Sequence, residues 1–248
     1  DVYKRQPVDS YEVKETSVPD PYVVGGETIQ TIYLGPGDDQ NLVFENLKMP
    51  RLTVTKIDAE DSKPVPGTVF TVEGIDSDFS ADWTTGADGT VTDRVAPGSY
   101  KITEKSVPAP YYLPSKNADR EQTVSLNAGD EVNVTFRNRK MPQLTIYKED
   151  SVAGAPIEGA KFHITYTSSG ESAEAPATVD YGNILTDAKG EIRLHEQGKQ
   201  LYPGAYTVTE VEPAPGFQMK EPSTQKIILH GSESKTCLLY TSPSPRDA

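Results

Sequence analysis

Apolar and polar residues alternate along short segments of this chain, which is the pattern of β-strands that bury one face. In YKITEK, Tyr100 and Ile102 lie on one face of an extended strand, and Glu104 follows them on that same face. Other alternating segments are LTVTK, TVFTV, GTVTDRV, QTVSL and EVNVTFRN, with turn signals such as Asp88-Gly89 between them. No window has a convincing helical period, so the pattern predicts an all-β protein.

The same order of segments recurs along the chain. RLTVTKIDAED begins at Arg51, and its counterpart QLTIYKEDSVA begins 92 positions later at Gln143. NLVFENLKMP and NVTFRNRKMP are separated by the same offset. Self-similarity at a fixed period is typical of tandem repeats. Several short strands in each repeat, rich in Val, Ile, Thr and Tyr, predict β-sandwiches of immunoglobulin-like size.

The repeat divides the chain into units. Residues 1–50 are the C-terminal half of a first unit, residues 51–141 are a complete unit, and residues 142–236 are a third unit that lacks its final Asn strand. The ends, DVYKRQ and CLLYTSPSPRDA, do not fit the pattern and resemble translated sequencing-adapter sequence. We therefore interpret residues 1–6 as foreign and residues 237–248 as a non-native tail.

Three strands of the complete unit end their inward-facing row with a polar residue. These residues are Lys56 after Leu52 and Val54, Glu104 after Tyr100 and Ile102, and Asn138 after Val134 and Phe136. A lone buried amine or carboxylate is unfavourable by several kcal/mol unless it is paired. We therefore expect the three polar side chains to meet inside the unit.

Such a meeting has a definite chemistry. Burial lowers the pKa of an amine and raises that of a carboxyl group, so Lys56 and Glu104 can both be neutral. Attack of Lys56 Nζ on the Asn138 carboxamide, polarised by protonated Glu104, with Glu104 also relaying the proton to the leaving ammonia, would give an isopeptide bond. Two other interpretations stay open: a buried salt bridge without covalent chemistry, and polar strand ends that face solvent.

The LxVxK start, the YxxxE strand after a Pro-Gly turn and the terminal FxN closely resemble the Cna-B repeats (SpaA-type, prealbumin-like) of Gram-positive surface adhesins and pilins. The resemblance covers nearly the whole chain apart from its ends. It implies a prealbumin-like β-sandwich in which Lys56 is the nucleophile, Asn138 the electrophile and Glu104 the proton relay of a spontaneous isopeptide bond. It also implies an extracellular, wall-anchored location on a Gram-positive bacterium, with an export signal upstream and a C-terminal anchor downstream.

The flanking units keep only part of this set. They retain Glu15 and Asn46 in the first unit, and Lys148 and Glu210 in the third. The lysine strand of the first unit would lie before residue 1. In the third unit, alignment of Gly231 with Gly129 places Tyr240 where an Asn is needed. We therefore predict no isopeptide bond within either flanking unit.

Composition narrows the possible partners. The 248 residues carry a formal net charge of -13, which argues against nucleic acid or an acidic membrane surface. With one cysteine, Cys237, neither a disulfide framework nor a CxxC metal site can be built. We expect no cofactor and no metal: the acidic segment IDSDFSAD lacks the Gly and final Glu of an EF-hand. No run of about 18 apolar residues predicts a membrane span, and residues 1–6 are not a signal peptide, so the sequence is either intracellular or an interior fragment.

Together these features predict structural stalk repeats of a cell-surface adhesin or pilin-like protein, with neighbouring repeats of the same chain as partners. The alternative is an adhesive module that binds a host protein or glycan through its loops, above all the longer loop 168–182 of the third unit. Exposed aromatic residues in that loop would favour binding, and a polar loop would favour a spacer. A turnover enzyme has the least support, because no motif for an external substrate is present.

Overall fold

The computed structural model of the chain describes residues 8–243. Nearly all of its regular structure is β-strand, in agreement with the alternation of apolar and polar residues. The strands form pairs of sheets that recur along the chain, which confirms the prediction of an all-β fold built from tandem β-sandwich repeats. In this part of the chain no helix has the length and apolar composition needed to cross a bilayer.

The first unit contains two small antiparallel sheets. One pairs β1 (Asp9–Lys14) with β3 (Ile29–Leu34), and the other pairs β2 (Tyr22–Val24) with β4 (Asn46–Lys48). In the segment before β4, Leu42 and Phe44 are half-buried while Val43 between them is exposed. The alternation of buried and exposed side chains therefore continues in a segment that is not itself a strand.

The complete unit is a sandwich of two sheets. Its elements are β5 (Arg51–Asp58), β6 (Val69–Gly74), β7 (Ser80–Thr84), β8 (Thr90–Arg94), β9 (Gly98–Ser106), α1 (Asn117–Arg120), β10 (Glu121–Leu126) and β11 (Glu131–Asn138). One sheet has the order β10-β9-β6-β7, and the other has the order β11-β5-β8. The first and last strands, β5 and β11, are parallel neighbours, with Lys56 opposite Phe136 and Asp58 opposite Asn138.

The third unit repeats this plan. Its strands are β12 (Gln143–Asp150), β13 (Lys161–Ser168), β14 (Thr178–Leu185), β15 (Glu191–Arg193), β16 (Gly204–Glu212), β17 (Phe217–Gln218), β18 (Thr224–Leu229) and β19 (Ser234–Pro243), with a 3₁₀ helix at Leu194–Gln197. One sheet has the order β15-β12-β19-β17 and the other β14-β13-β16-β18. The first and last strands, β12 and β19, again run in parallel.

Each sandwich has a core of inward-facing apolar side chains. In the complete unit Leu52 and Val54 of one sheet are fully buried against Phe70 and Ile102 of the other. The rings of Phe70 and Phe136 pack with their centroids 4.8 Å apart. Burial of a large apolar side chain contributes roughly 1.5–3 kcal/mol, so this interior is the main source of the fold's stability.

The final strand of the third unit differs from the sequence-based expectation. We expected this strand to be missing and residues 237–248 to be a foreign tail, but residues 237–243 belong to β19. Cys237 and Leu239 are buried in the core of the third unit. Burial raises the pKa of the Cys237 thiol to about 11, so the thiol is an unreactive core residue. The strand is present, and what it lacks is an Asn.

Both junctions between units use the same backbone contact. The N–H of Gly129 donates to the carbonyl of Lys48 at 2.7 Å, and the N–H of Ser232 donates to the carbonyl of Lys140 at 2.7 Å. Both donors have left-handed backbone, with φ of 82° for Gly129 and 66° for Ser232. The structural counterpart of Gly129 is therefore Ser232 and not Gly231, because a serine here adopts the conformation that glycine favours.

The longer loop of the third unit contacts the complete unit. Its residues 171–173 form backbone hydrogen bonds with residues 113–115, namely Ser115 N to Glu171 O at 3.0 Å and Ala173 N to Leu113 O at 2.9 Å. The aromatic residue of the range 168–182, Tyr181, lies in β14 and stacks on Tyr206 with the ring centroids 6.3 Å apart. The loop is thus a contact between neighbouring units and does not present a cluster of aromatic side chains to solvent.

Gly89 lies in a turn that packs closely against the backbone of Lys56 in the first strand of the complete unit. Gly89 has φ of 72°, and a Cβ at this position would lie 2.5 Å from the carbonyl oxygen of Lys56. We expect Gly89→Ala to lower the free energy of unfolding by about 3 kcal/mol or more, since it combines left-handed strain with a clash against backbone. Urea unfolding followed by the fluorescence of Trp83, a buried residue of the same unit, measures this loss.

The matched control is Gly67→Ala. Gly67 has φ of 80°, but nothing lies within 4 Å of its hypothetical Cβ. Only the backbone strain of roughly 1–2 kcal/mol is expected there. Equal losses for the two variants would contradict the close packing of Gly89 against the lysine strand.

Candidate functional site

Lys56, Glu104 and Asn138 lie together at one end of the core of the complete unit. Lys56 is in β5 and Asn138 is in β11 of the same sheet, whereas Glu104 is in β9 of the facing sheet. All three side chains are buried, with at most 1% of their surface exposed. The alternation of side chains along each strand directs these polar groups inward. They come into contact because the two sheets pack face to face.

The three side chains are joined by short contacts. Lys56 Nζ donates to Asn138 Oδ1 at 2.5 Å and lies 2.7 Å from Glu104 Oε1. Asn138 Nδ2 donates to Glu104 Oε1 at 2.9 Å and to the backbone carbonyl of Tyr112 at 3.0 Å. The carboxamide therefore has its oxygen toward the amine and its nitrogen toward the carboxyl group.

The apolar surroundings favour the neutral forms of the amine and the acid. Burial lowers the pKa of Lys56, although the charge of Glu104 opposes this shift. Burial likewise raises the pKa of Glu104, against the influence of Lys56 and Asn138. Glu104 Oε2 is buried and has no hydrogen-bond partner, which is less costly when the carboxyl group is protonated. A neutral amine in contact with a carboxamide and an acid is an arrangement that can support amide formation.

Asp58, two residues beyond Lys56 on the same face of β5, was not identified from the sequence. It is fully buried and accepts hydrogen bonds from Tyr111 Oη at 2.9 Å and from the N–H of Glu60 at 2.7 Å, and it pairs with Lys140 Nζ at 2.7 Å. Burial alone would raise its pKa, but these hydrogen bonds, with that of Lys140 the strongest, lower it well below the usual range. Extending the alternation of β5 by one step would have found this residue, which anchors the linker residue Lys140.

The first unit has half of the site. Asn46 Nδ2 donates to Glu15 Oε1 at 2.8 Å, the same bond that joins Asn138 to Glu104. Asn46 Oδ1 and Glu15 Oε2 are buried and have no hydrogen-bond partner. In the complete unit, the atom that corresponds to Asn46 Oδ1 is the one that accepts from Lys56.

The third unit has the other half. Lys148 Nζ donates to Glu210 Oε2 at 2.7 Å and to the backbone carbonyl of Tyr240 at 3.0 Å, with both side chains buried. No carboxamide is joined to this pair by any hydrogen bond among the described residues. The pair is therefore a buried ion pair without an electrophile.

The strand register corrects which residue replaces the Asn in the third unit. Asn138 is opposite Asp58 in β11 and β5, and the equivalent partner of Asp150 in β19 is Thr241. Tyr240, the residue expected from the sequence, is one position away and is 43% exposed. The error of one residue follows from aligning Gly129 with Gly231, and a one-residue shift moves a side chain to the opposite face.

No group of three or more His, Cys, Asp or Glu residues within residues 8–243 is arranged to hold a metal ion. The acidic segment considered above has other contacts. Asp82 pairs with Lys105 Nζ at 2.5 Å and accepts from Thr71 Oγ1 at 2.8 Å.

The family model of the SpaA prealbumin-like fold domain matches residues 50–140 and 142–237. Among solved structures, the Streptococcal ancillary pilin is 18% identical over 97% of this chain and 77% of that chain, with a TM-score of 0.41. The shaft pilin spaA from Lactobacillus rhamnosus GG is 16% identical over 79% and 98%, with a TM-score of 0.42. The Bacillus anthracis TIE protein is 18% identical over 94% of this chain, which spans 51% of that protein, with a TM-score of 0.38. The comparison with curated proteins found no significant match.

The ion pair of the third unit gives a prediction that involves no covalent chemistry. Lys148→Met leaves Glu210 buried without its amine, so we expect a loss of ~3–5 kcal/mol in the free energy of unfolding. In the double variant Lys148→Met, Glu210→Leu, both charges are absent, and we expect stability to recover to within ~1 kcal/mol of the wild type. Calorimetry measures the unfolding of this unit. Its transition is identified as the one during which the fluorescence of Trp83, a residue of the complete unit, does not change.

Lys161→Met is the control for this cycle. Lys161 pairs with Glu212 in the same unit, but this pair is open to solvent, with 34% of the Lys161 side chain and 62% of the Glu212 side chain exposed. Loss of such a pair is worth only about 0–1 kcal/mol. If the double variant were as unstable as Lys148→Met, the loss of stability would come from altered core packing and not from an unpaired buried charge.

Proposed function

The chain belongs to the family of the SpaA prealbumin-like fold domain, and from this premise we propose that it forms stalk repeats of a pilin-like or adhesin protein on the surface of a Gram-positive bacterium. We further propose that its complete unit is locked by an isopeptide bond between Lys56 and Asn138. The observation that carries this proposal is the buried contact of Lys56 Nζ with both Asn138 Oδ1 and Glu104.

The geometry supports a definite role for each group. Neutral Lys56 Nζ attacks Asn138 Cγ, and the new C–N bond replaces the bond from Cγ to Nδ2. Glu104 Oε1 is within hydrogen-bond distance of both nitrogen atoms, at 2.7 Å from Nζ and 2.9 Å from Nδ2. It can therefore accept the proton that the amine loses and deliver it to the nitrogen that leaves as ammonia. Because Glu104 faces Nδ2 and Lys56 faces Oδ1, relay to the leaving group fits better than polarisation of the carbonyl by Glu104.

The reaction occurs once, because it consumes the amine of Lys56 and the carboxamide of Asn138, so in this proposal the protein is not a turnover enzyme. The third unit remains non-covalent in this proposal, because no carboxamide is hydrogen-bonded to Lys148 among the described residues. The pairs of Glu15 with Asn46 and of Lys148 with Glu210 keep the corresponding polar contacts of the complete unit.

The bond would connect the first and last strands of the complete unit. Lys56 and Asn138 are 82 residues apart, and closing a loop of that length stabilises the fold by about 4.5 kcal/mol on the chain-entropy model. Tension that enters at β5 and leaves at β11 would pass through a covalent bridge. Such a bridge is not cleaved by reductants, unlike the disulfides that often reinforce small extracellular domains.

The contacts of the longer loop favour a stalk over a binding module. Residues 171–173 are hydrogen-bonded to the complete unit, and Tyr181 is engaged with Tyr206. A loop that is used to join neighbouring repeats is not free to recognise a host protein or glycan. The function of the loop in this proposal is to set the geometry between two units.

Intact mass tests the isopeptide bond. We expect the denatured wild-type chain to be lighter than its sequence mass by one ammonia, about 17 Da, because amide formation releases one molecule. We expect the full sequence mass for Lys56→Ala, Asn138→Ala and Glu104→Gln, each of which removes one of the three roles. Lys148→Ala is the matched control in the third unit and should keep the loss. A wild-type chain at full mass would leave only the buried ion pair.

Force spectroscopy tests the mechanical consequence. In the wild type, we expect the segment between Lys56 and Asn138 to remain closed under load. In Asn138→Ala this segment of 82 residues unfolds and adds about 280 Å of contour length at roughly 3.4 Å per residue. Equal extension in the two chains would contradict the mechanical role, whatever the mass measurement gives.

A further inference from the structure

We propose that the third unit positions the reacting carboxamide of the preceding complete unit, through the backbone carbonyl of Tyr112. This inference rests on the proposed function. Its consequence is that the Lys56–Asn138 bond forms quickly only after the third unit has folded against the complete unit. The positioning residues are Tyr112 and Gly231, which contact the reacting Asn138 directly or through one another.

The carbonyl of Tyr112 selects the reactive orientation of Asn138. It accepts a hydrogen bond from Asn138 Nδ2 at 3.0 Å. A carbonyl oxygen accepts hydrogen bonds and donates none, so this contact excludes the flipped amide in which Oδ1 takes the place of Nδ2. With Nδ2 held by Tyr112 and Glu104, Oδ1 is left to accept from Lys56 Nζ.

Within its own unit, Tyr112 is part of the irregular segment between β9 and α1. Its N–H donates to the carbonyl of Arg139, but at the long distance of 3.4 Å. A hydrogen bond of that length fixes a segment weakly. The preceding residue is held within the unit, because Tyr111 Oη donates to Asp58 at 2.9 Å, and the Tyr112 carbonyl also depends on what contacts the residues that follow it.

The third unit supplies two sets of contacts to it. Immediately after Tyr112, the carbonyl of Leu113 accepts from Ala173 N at 2.9 Å, and Ser115 N donates to the carbonyl of Glu171 at 3.0 Å. Pro114 and Ser172 form the antiparallel bridge between these two bonds. The loop thus fixes the chain direction directly after the carbonyl that orients Asn138.

The second contact is the packing of Gly231 on the ring of Tyr112. A Cβ at Gly231 would lie 2.2 Å from Tyr112 Oη and 2.8 Å from Arg139 Cβ, so only a hydrogen atom fits between the two units. The backbone of Gly231 is not left-handed, which means that glycine is required for this close approach and not for its conformation. Tyr112 is only 4% exposed as a result.

The test compares rates of bond formation in the full-length chain. The protein is made by cell-free synthesis, further synthesis is stopped, and the fraction that has lost about 17 Da is followed with time by intact mass. We expect Gly231→Ala to slow the loss by about fivefold or more, which corresponds to ~1 kcal/mol of activation free energy. Ala173→Pro, which removes the N–H donated to Leu113, should slow it as well.

Two controls separate positioning from general destabilisation. Gly26→Ala changes a glycine with nothing within 4 Å of its hypothetical Cβ and should react at the wild-type rate. Tyr112→Phe combined with Gly231→Ala removes the hydroxyl that the new methyl group meets, so part of the rate should return. Trp83 fluorescence reports the folding of the complete unit independently of the bond, and we expect it to be native in every variant before the slow step.

Each outcome decides between the alternatives. Slow bond formation in a chain with native Trp83 fluorescence, together with partial rescue, supports positioning by the third unit. Bond formation at the wild-type rate in both Gly231→Ala and Ala173→Pro overturns it. Slow bond formation accompanied by non-native Trp83 fluorescence also overturns it, and so does a slow rate in Gly231→Ala that does not increase when Tyr112→Phe is added. A wild-type chain that never loses ammonia overturns the proposed isopeptide bond itself, which is a different result.

Discussion

The structure of the complete unit depends on how an amine is accommodated inside a sandwich of apolar side chains. Lys56 is fully buried, and an isolated ammonium group in such an interior would be unfavourable by several kcal/mol. Its contacts with Glu104 and Asn138 compensate this cost, and the same burial shifts the pKa values of the amine and the acid toward their neutral forms. One constraint therefore accounts for the placement of the three residues and for the reactivity proposed for them.

The three units place different residues on one scaffold, which separates the contribution of the fold from that of the side chains. Among the described residues, Asn and Glu of the first unit are bonded at 2.8 Å with no lysine in contact, and Lys and Glu of the third unit are in contact at 2.7 Å with no Asn. Each pair has nearly the geometry that it has in the complete unit. The fold thus creates the polar position at the end of the core, and the proposed chemistry requires that the amine, the acid and the carboxamide all be present there.

The junction between units belongs to the same physical system as the site. The linker residue Lys140 is held by the buried carboxylate of Asp58, two residues from Lys56, and its carbonyl accepts from Ser232 of the third unit. The segment that orients Asn138 is hydrogen-bonded to the loop of the third unit on its other side. The first and last strands, the buried polar site and the contacts between units therefore lie within a few residues of one another.

The sequence by itself determined the strands, their buried faces and the inward direction of Lys56, Glu104 and Asn138, because a period of two assigns each side chain to a face regardless of the neighbouring strands. Tertiary structure alone decided the rest. The partners of a strand depend on its register, and a left-handed serine at Ser232 shifted the last strand by one residue from the alignment made on glycine. The hydrogen bond that orients Asn138 comes from the carbonyl of Tyr112, an atom that every residue carries and that no side-chain pattern can reveal. Chain alternation is a local property, whereas the contact between two sheets, or between two units, exists only after distant segments have packed together.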